Sequence, residues 1–135
     1  ITGQDGSYLA EFLLDKGYRV VGIIRRHSTP ETQTTRIESI KNNPNLHLEY
    51  GDLLDLPSLI HVFREYNPHE VYNLAAQSHV KVSFGQPSFT TDTITTGTLN
   101  VLEAVRVSCP DAKVYLAGSS EMYGNEFVPR CMAFT

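Results

Sequence analysis

The sequence predicts an open α/β fold, a doubly wound parallel sheet with helices on both faces. Three observations predict it. Strand-like and helix-like segments alternate from end to end. The strand candidates are short apolar runs whose carboxyl ends pass into small or polar residues. The chain also opens on a glycine loop, a helix and a strand, in the order of the second half of a dinucleotide-binding βαβ unit. Crossovers in such a sheet are right-handed. With 135 residues, 41% of them hydrophobic, the chain is one domain or part of one, with enough apolar residues for a core.

The glycine loop holds Gly3 and Gly6. A backbone that approaches a pyrophosphate has no room for a Cβ, and Gly6 lets the following helix pack close to the sheet. The helix N-terminus offers unpaired N–H groups and a partial positive charge. Tyr8, Leu9, Phe12 and Leu13 fall on one helical face. Lys16-Gly17 supplies a stop, with a cation at the negative end of the dipole and a glycine free to turn left-handed. Val20 to Ile24 reads as a buried strand. The dinucleotide fingerprint has an earlier glycine after a strand of about five residues. Only Ile1-Thr2 precede Gly3, so the fold is expected to be truncated here, with its first strand before Ile1.

Arg25-Arg26-His27-Ser28 follows that strand, at the end that faces the adenosine ribose in such folds. An acid there would accept from a ribose 2′-OH. Two arginines and a serine suit a 2′-phosphate instead, which points to NADP, with Arg25 on the phosphate. The plainer alternative is a solvated basic turn. The polar stretch from His27 to Pro44 predicts a loop and a short helix around Thr35 to Asn42. Leu46 to Tyr50 alternates and predicts a strand. Asp52 after it accepts from an adenine amino group, caps the next helix, or does both; the apolar positions of that helix are Leu56, Leu59, Ile60 and Phe63.

Pro68 marks a boundary, and Glu70 to Leu74 predicts a further strand. Ala75-Ala76-Gln77-Ser78-His79 follows, small enough for a cofactor to lie along the backbone, or simply a tight loop. His79 is either a catalytic base or a structural histidine. Pro87 through Cys109 predicts one long helix, with Pro87 in its first turn. Six threonines weaken its first half by propensity, and Leu99, Leu102 and Val105 are expected to hold the rest by packing. The weak half either borders a ligand or another subunit, or is a threonine-tolerant buried helix. Lys113 to Gly118 predicts a last strand. Ser119-Ser120-Glu121-Met122-Tyr123-Gly124 lies at its carboxyl end, where open α/β sheets bind ligands. Two hydroxyls, a carboxylate and a phenol there form either a catalytic cluster or a capped, solvated turn.

Net charge is −4, so there is no broad basic field for nucleic acid or an anionic membrane. The two cysteines, Cys109 and Cys131, have no metal-ligand spacing, and no metal is expected. No run of about eighteen apolar residues occurs. The N-terminus lacks the pattern of a secretion signal. A reducing, cytoplasmic setting is expected.

Several stretches together resemble one family. They are Thr2-Gly3-Gln4-Asp5-Gly6-Ser7-Tyr8-Leu9-Ala10-Glu11, Arg25-Arg26, Tyr50-Gly51-Asp52-Leu53, Val71-Tyr72-Asn73-Leu74, Gln77-Ser78-His79-Val80 and Ser120-Glu121-Met122-Tyr123-Gly124. The resemblance, to about Gly124, is to the GDP-mannose 4,6-dehydratases, extended short-chain dehydrogenases/reductases that act on nucleotide sugars. Relatives acting on dTDP- or UDP-sugars usually lack the arginine pair. The resemblance implies a Rossmann-type NADP-binding domain over 1–135, partial, without its first strand and the C-terminal substrate-binding part. It implies that Thr2, Gly3, Gln4 and Asp5 line the pyrophosphate turn and that Arg25, Arg26, His27 and Ser28 hold the 2′-phosphate. Asp52 and Leu53 would flank the adenine, and Leu74, Ala75, Ala76, Gln77 and Ser78 would lie along the cofactor. Phe89 stands where the family usually has a tyrosine near the cofactor.

The family's catalytic Thr-Ser-Glu appears as Ser119-Ser120-Glu121. The implied reaction turns GDP-mannose into a 4-keto-6-deoxy sugar. C4 is oxidised transiently, Glu121 takes the C5 proton, water leaves C6 and hydride returns there. Ser119 would hold the sugar's reacting oxygen. The family's Tyr-x-x-x-Lys pair is expected after Gly124, so these residues alone are expected to be inactive. They are also expected to be unstable, because the missing strand leaves its neighbour unpaired at the sheet centre. A homodimer or homotetramer is implied. An epimerase or reductase of the same superfamily, or a cofactor-binding module without chemistry, are the alternatives.

Overall fold

The computed structural model describes residues 1–26 and 35–119. His27, Ser28, Ser120 and Glu121 therefore lie outside the described residues. Helix α1 spans Gln4–Asp15 and strand β1 Val20–Ile24, followed by a 3₁₀ turn at Thr35–Ile37. Strand β2 (Leu46–Tyr50), helix α2 (Leu56–Tyr66) and strand β3 (Glu70–Asn73) come next. Helices α3 (Val80–Gly85) and α4 (Pro87–Thr91) lead through a π turn at Asp92–Thr96 into α5 (Gly97–Ser108), and strand β4 (Lys113–Leu116) follows.

The four strands make two parallel pairs. In one, Val20 lies beside Leu46 and Ile24 beside Tyr50. In the other, Glu70 lies beside Lys113 and Asn73 beside Leu116. One core serves both pairs. Leu59, Val62 and Phe63 of α2 pack against Val101, Ala104 and Val105 of α5, and Val21, Ile23, Val71 and Val114 of the strands close on them. Leu59 is fully buried, a burial that contributes about 1.5–3 kcal/mol.

The stop of α1 forms as its sequence requires. The Gly17 N–H donates to the Leu14 carbonyl at 2.9 Å, and Gly17 takes φ +81°. Its start and its buried face differ from expectation. The helix begins at Gln4, so Gly6 lies in its first turn rather than in a loop. Ser7, Ala10 and Leu14 are buried, while Tyr8 and Phe12 point out. The reason is proximity. A Cβ on Gly6 would lie 2.9 Å from the Ile1 carbonyl oxygen, and one on Gly22 of β1 would overlap Ile1 Cδ1. At such closeness the small residues Gly6, Ser7 and Ala10 suit the inner face of the first turns, and Tyr8 and Phe12 are turned away.

The single helix expected over 87–109 is a continuous helical run with a π turn inside it. The threonines explain the fault. Thr90 Oγ1 donates to the Gln86 carbonyl at 2.9 Å, and Thr93 Oγ1 to the Phe89 carbonyl at 2.8 Å. Hydroxyls that bond back to i−4 carbonyls compete with the helix ladder. On α5 the buried residues are Gly97, Val101, Ala104 and Val105. Leu99 and Leu102, expected to pack, are exposed instead, because the face that carries Gly97 and Ala104 is the one that meets Leu53 and α2. The short helix expected over Thr35 to Asn42 reduces to the 3₁₀ turn, whose Ile37 is fully buried.

Candidate functional site

The first part of the site gathers at the carboxyl edge of β1 and β2. The Ile1 nitrogen donates to the Ile23 carbonyl at 3.2 Å, which seats the start of the chain beside the end of β1. Thr2 and Gly3 form the turn, with Gly3 as the N-cap of α1 in extended geometry. The Ser7 N–H donates to the Gly3 carbonyl at 3.0 Å and makes the first bond of the helix. The N–H groups of Gln4, Asp5 and Gly6 precede it and have no acceptor within the helix. Gly3, Gln4 and Asp5 are exposed. Arg25 and Arg26 leave the end of β1, both exposed. The first turn of α1 and the residues Arg25 and Arg26 thus lie at the same edge.

The Gly51 N–H donates to the Ile24 carbonyl at 3.1 Å, so the turn after β2 opens beside Arg25. Asp52 does not cap α2, whose N-cap position is Asp55. Its Oδ1 accepts from the Leu54 N–H at 2.9 Å instead. The Asp52 carbonyl also accepts from the Asp55 N–H at 3.0 Å, so a full turn separates Asp52 from the helix. Pro57 in the first turn of α2 fixes that start. Leu53 is held by α5: its carbonyl accepts from Asn100 Nδ2 at 2.7 Å, and a Cβ on Gly97 would lie 3.0 Å from Leu53 Cβ. Sequence reading missed Asn100, whose isolated polarity on a helix carries no pattern.

The second part lies at the end of β3 and β4. The Ala75 N–H donates to Asn73 Oδ1 at 3.2 Å, which turns the chain out of β3. Leu74 and Gln77 are half-buried, and Ala75, Ala76 and Ser78 are exposed. Gln77 organises this loop. Its Oε1 accepts from the His79 N–H at 2.6 Å, and its Nε2 donates to the His79 carbonyl and to Thr90 Oγ1 at 3.1 and 3.2 Å. The loop is thereby tied to α4 one residue from Phe89, which is partly exposed. His79 sits at the N-cap position of α3 without a side-chain cap bond. Ser119 is exposed in the segment after β4. The Ala117 N–H donates to the Asn73 carbonyl at 3.1 Å, which puts that segment beside the loop after β3.

Among the described residues no group of His, Cys, Asp and Glu forms a metal site, and no helix is long and apolar enough to cross a membrane. Cys109 is buried, and burial raises its thiol pKa, so it stays protonated and offers no nucleophile.

Comparison with known proteins follows the same residues. The family model for GDP-mannose 4,6 dehydratase matches residues 1–131. A GDP-mannose 4,6-dehydratase of Yersinia enterocolitica is 53% identical over 131 residues, 92% of this chain and 35% of that protein. The Homo sapiens GDP-mannose 4,6 dehydratase is 50% identical over 132 residues, again 92% of this chain and 35% of the relative. The chain thus spans about a third of the length of the curated relatives it matches. Among solved structures, the Bordetella bronchiseptica enzyme WbmH in complex with NAD+ superposes with a TM-score of 0.75 at 25% identity, covering 96% of this chain and 40% of that one. A Thermus thermophilus UDP-glucose 4-epimerase in complex with NAD gives 0.65 at 29% identity, covering 79% and 32%. The fold is therefore of the Rossmann type.

Proposed function

This chain belongs to the GDP-mannose 4,6-dehydratase family, and from that premise we propose that it is the cofactor-binding part of an NADP-dependent enzyme converting GDP-mannose into its 4-keto-6-deoxy product. The observation that carries the reading is the shared edge of the Thr2-Gly3 turn and Arg25-Arg26. A dinucleotide fits it. A Cβ at Gly6 would press on the backbone of Ile1, and the first-turn N–H groups of α1 are available to an anion. Gly3, Gln4 and Asp5 would hold the pyrophosphate, and Arg25 and Arg26, with His27 and Ser28, the 2′-phosphate. Asp52 and Leu53 would border the adenine, and Leu74 to Ser78 with Phe89 the rest.

When bound, the nicotinamide supplies a hydride acceptor that later returns the hydride. The chain's own residues do the remainder. Ser119 donates a hydrogen bond to the sugar's reacting oxygen. Glu121 takes the C5 proton as general base, which the adjacent keto group acidifies. Leu74 to Gln77 present a backbone without bulky side chains at Ala75 and Ala76. The curated relatives, near half-identical dehydratases, support dehydration over the epimerase reading. A reducing, cytoplasmic setting and a homodimer or homotetramer belong to the same proposal.

The test uses the full-length gene product with GDP-mannose and NADP. The expected product is lighter by one water, and Glu121→Gln is expected to lower turnover by about 10²–10⁴-fold with cofactor binding intact. A product of unchanged mass would favour the epimerase, and unchanged turnover in the variant would remove Glu121 from the reaction.

A further inference from the structure

We propose, on the cofactor reading above, that Thr90 is a positioning residue: through Gln77 its hydroxyl holds the loop after β3 at the spacing from Phe89 that the cofactor needs. Thr90 Oγ1 donates to the Gln86 carbonyl at 2.9 Å and accepts from Gln77 Nε2 at 3.2 Å. The same Nε2 donates to the His79 carbonyl at 3.1 Å, and Gln77 Oε1 accepts from the His79 N–H at 2.6 Å. The His79 carbonyl also accepts from the N–H groups of Val82 and Ser83, at 3.0 and 3.1 Å, where α3 begins. The stretch from Gln77 to Thr90 is thus a closed clasp, with the Thr90 hydroxyl linking its two ends.

Hydrogen bonds hold this clasp because packing does not. Neither α3 nor α4 buries a residue, Val80 and Phe84 on α3 are exposed, and Thr90 itself is half-buried. The link is also saturated. A primary amide has two N–H donors, and Gln77 uses them on His79 and Thr90. A hydroxyl has one donor, and Thr90 uses it on Gln86. The Gln77 side chain therefore has no donor left for a ligand, and its part at the cofactor is to fix the backbone of Leu74 to Ser78. Thr90 follows Phe89 on α4, so its bond sets the gap between Phe89 and the backbone of Ala75 and Ala76. A dinucleotide whose adenosine end lies at β1 and β2 reaches that gap with its other end, the nicotinamide. Hydride transfer depends on that placement, since reacting atoms must be held about 3–3.5 Å apart.

The experiment uses the full-length gene product with NADP⁺ and, as a probe of the adenosine end alone, adenosine 2′,5′-bisphosphate. Thr90→Val keeps the shape and removes the hydroxyl. It is expected to weaken NADP⁺ by about threefold to tenfold in calorimetry, to lower kcat for GDP-mannose by about tenfold or more, and to leave the bisphosphate unchanged. Thr90→Ser restores the hydroxyl and should recover both values. Thr93→Val is the control. It removes the bond from Thr93 Oγ1 to the Phe89 carbonyl, which stays within the helical run, and should keep wild-type values. Gln77→Met removes the link from its other end, so adding Thr90→Val to it should weaken NADP⁺ no further. Thermal melts without ligand report folding, and Gln77→Met tests the link by itself if Thr90→Val melts early: NADP⁺ should weaken and the bisphosphate should not. Equal weakening of NADP⁺ and the bisphosphate, a Thr90→Ser as impaired as Thr90→Val, or additive losses in the double variant would overturn the inference. So would unchanged binding and turnover in Thr90→Val. A wild type that binds neither NADP⁺ nor the bisphosphate would overturn the cofactor reading itself, and the inference with it.

Discussion

β1 and β2 are backed by α1 and closed by Ile1, whereas the helices α3 and α4 that follow β3 bury none of their residues. In the first region Ala10, Leu14, Ile24 and Ile37 are buried, and glycine hydrogens face Ile1 at Gly6 and Gly22. In the second, Tyr72, Tyr115 and Leu116 are exposed, as are Val80 and Phe84 on α3, the latter 83% exposed. The Tyr72 and Tyr115 rings lean on each other at 6.0 Å rather than on a covering layer. The contrast divides the labour of the site. The groups suited to phosphates sit on packed, local structure. Ser119, proposed to meet the sugar, is exposed in the second region.

Three substitutions probe that division. The largest effect is expected at the shared core. Leu59→Ala should cost about 2–5 kcal/mol in urea denaturation, with both regions unfolding together because α2 and α5 underlie each pair of strands. Separate transitions would show that the regions are independent. Next comes Gly6→Ala. Its Cβ would meet the Ile1 carbonyl oxygen, a backbone atom that cannot swing away. A loss of about 1–3 kcal/mol is expected, together with weaker cofactor binding as the first turn of α1 shifts. A variant as stable as the parent would mean that α1 and the strand edge do not approach so closely. The smallest effect belongs to the open region, where Phe84→Ser should change stability by less than about 0.5 kcal/mol. A large loss there would show that α3 is packed and would blur the contrast.

Much of the first region was legible in the sequence. Glycines, a Lys-Gly stop and an apolar run each act through nearest neighbours, so β1, β2 and the end of α1 follow from local rules. The buried face of α1 did not, because Tyr8 and Phe12 match the helical period as well as Ser7, Ala10 and Leu14 do. Only the distance to Ile1 decides between them, and distance is tertiary. The same applies to Leu99 and Leu102, displaced by Gly97 and Ala104. The π turn arises from hydroxyl competition at Thr90 and Thr93, which a propensity scale reports only as weakness. Asn100 and Arg36 touch partners 47 and 34 positions away, so no window on the sequence contains both ends of either bond. Asp52 was read as either a cap or an adenine contact. The structure removes the cap and leaves one carboxylate oxygen engaged with Leu54.

In the proposed reading the β1–β2 edge holds a phosphate-bearing adenosine. Calorimetry of the full-length gene product with NADP⁺ and NAD⁺, repeated on Arg25→Ala, tests it most directly. The wild type is expected to bind NADP⁺ at least about tenfold more tightly than NAD⁺, and Arg25→Ala to narrow the gap. Equal affinities for the two cofactors in the wild type would contradict it.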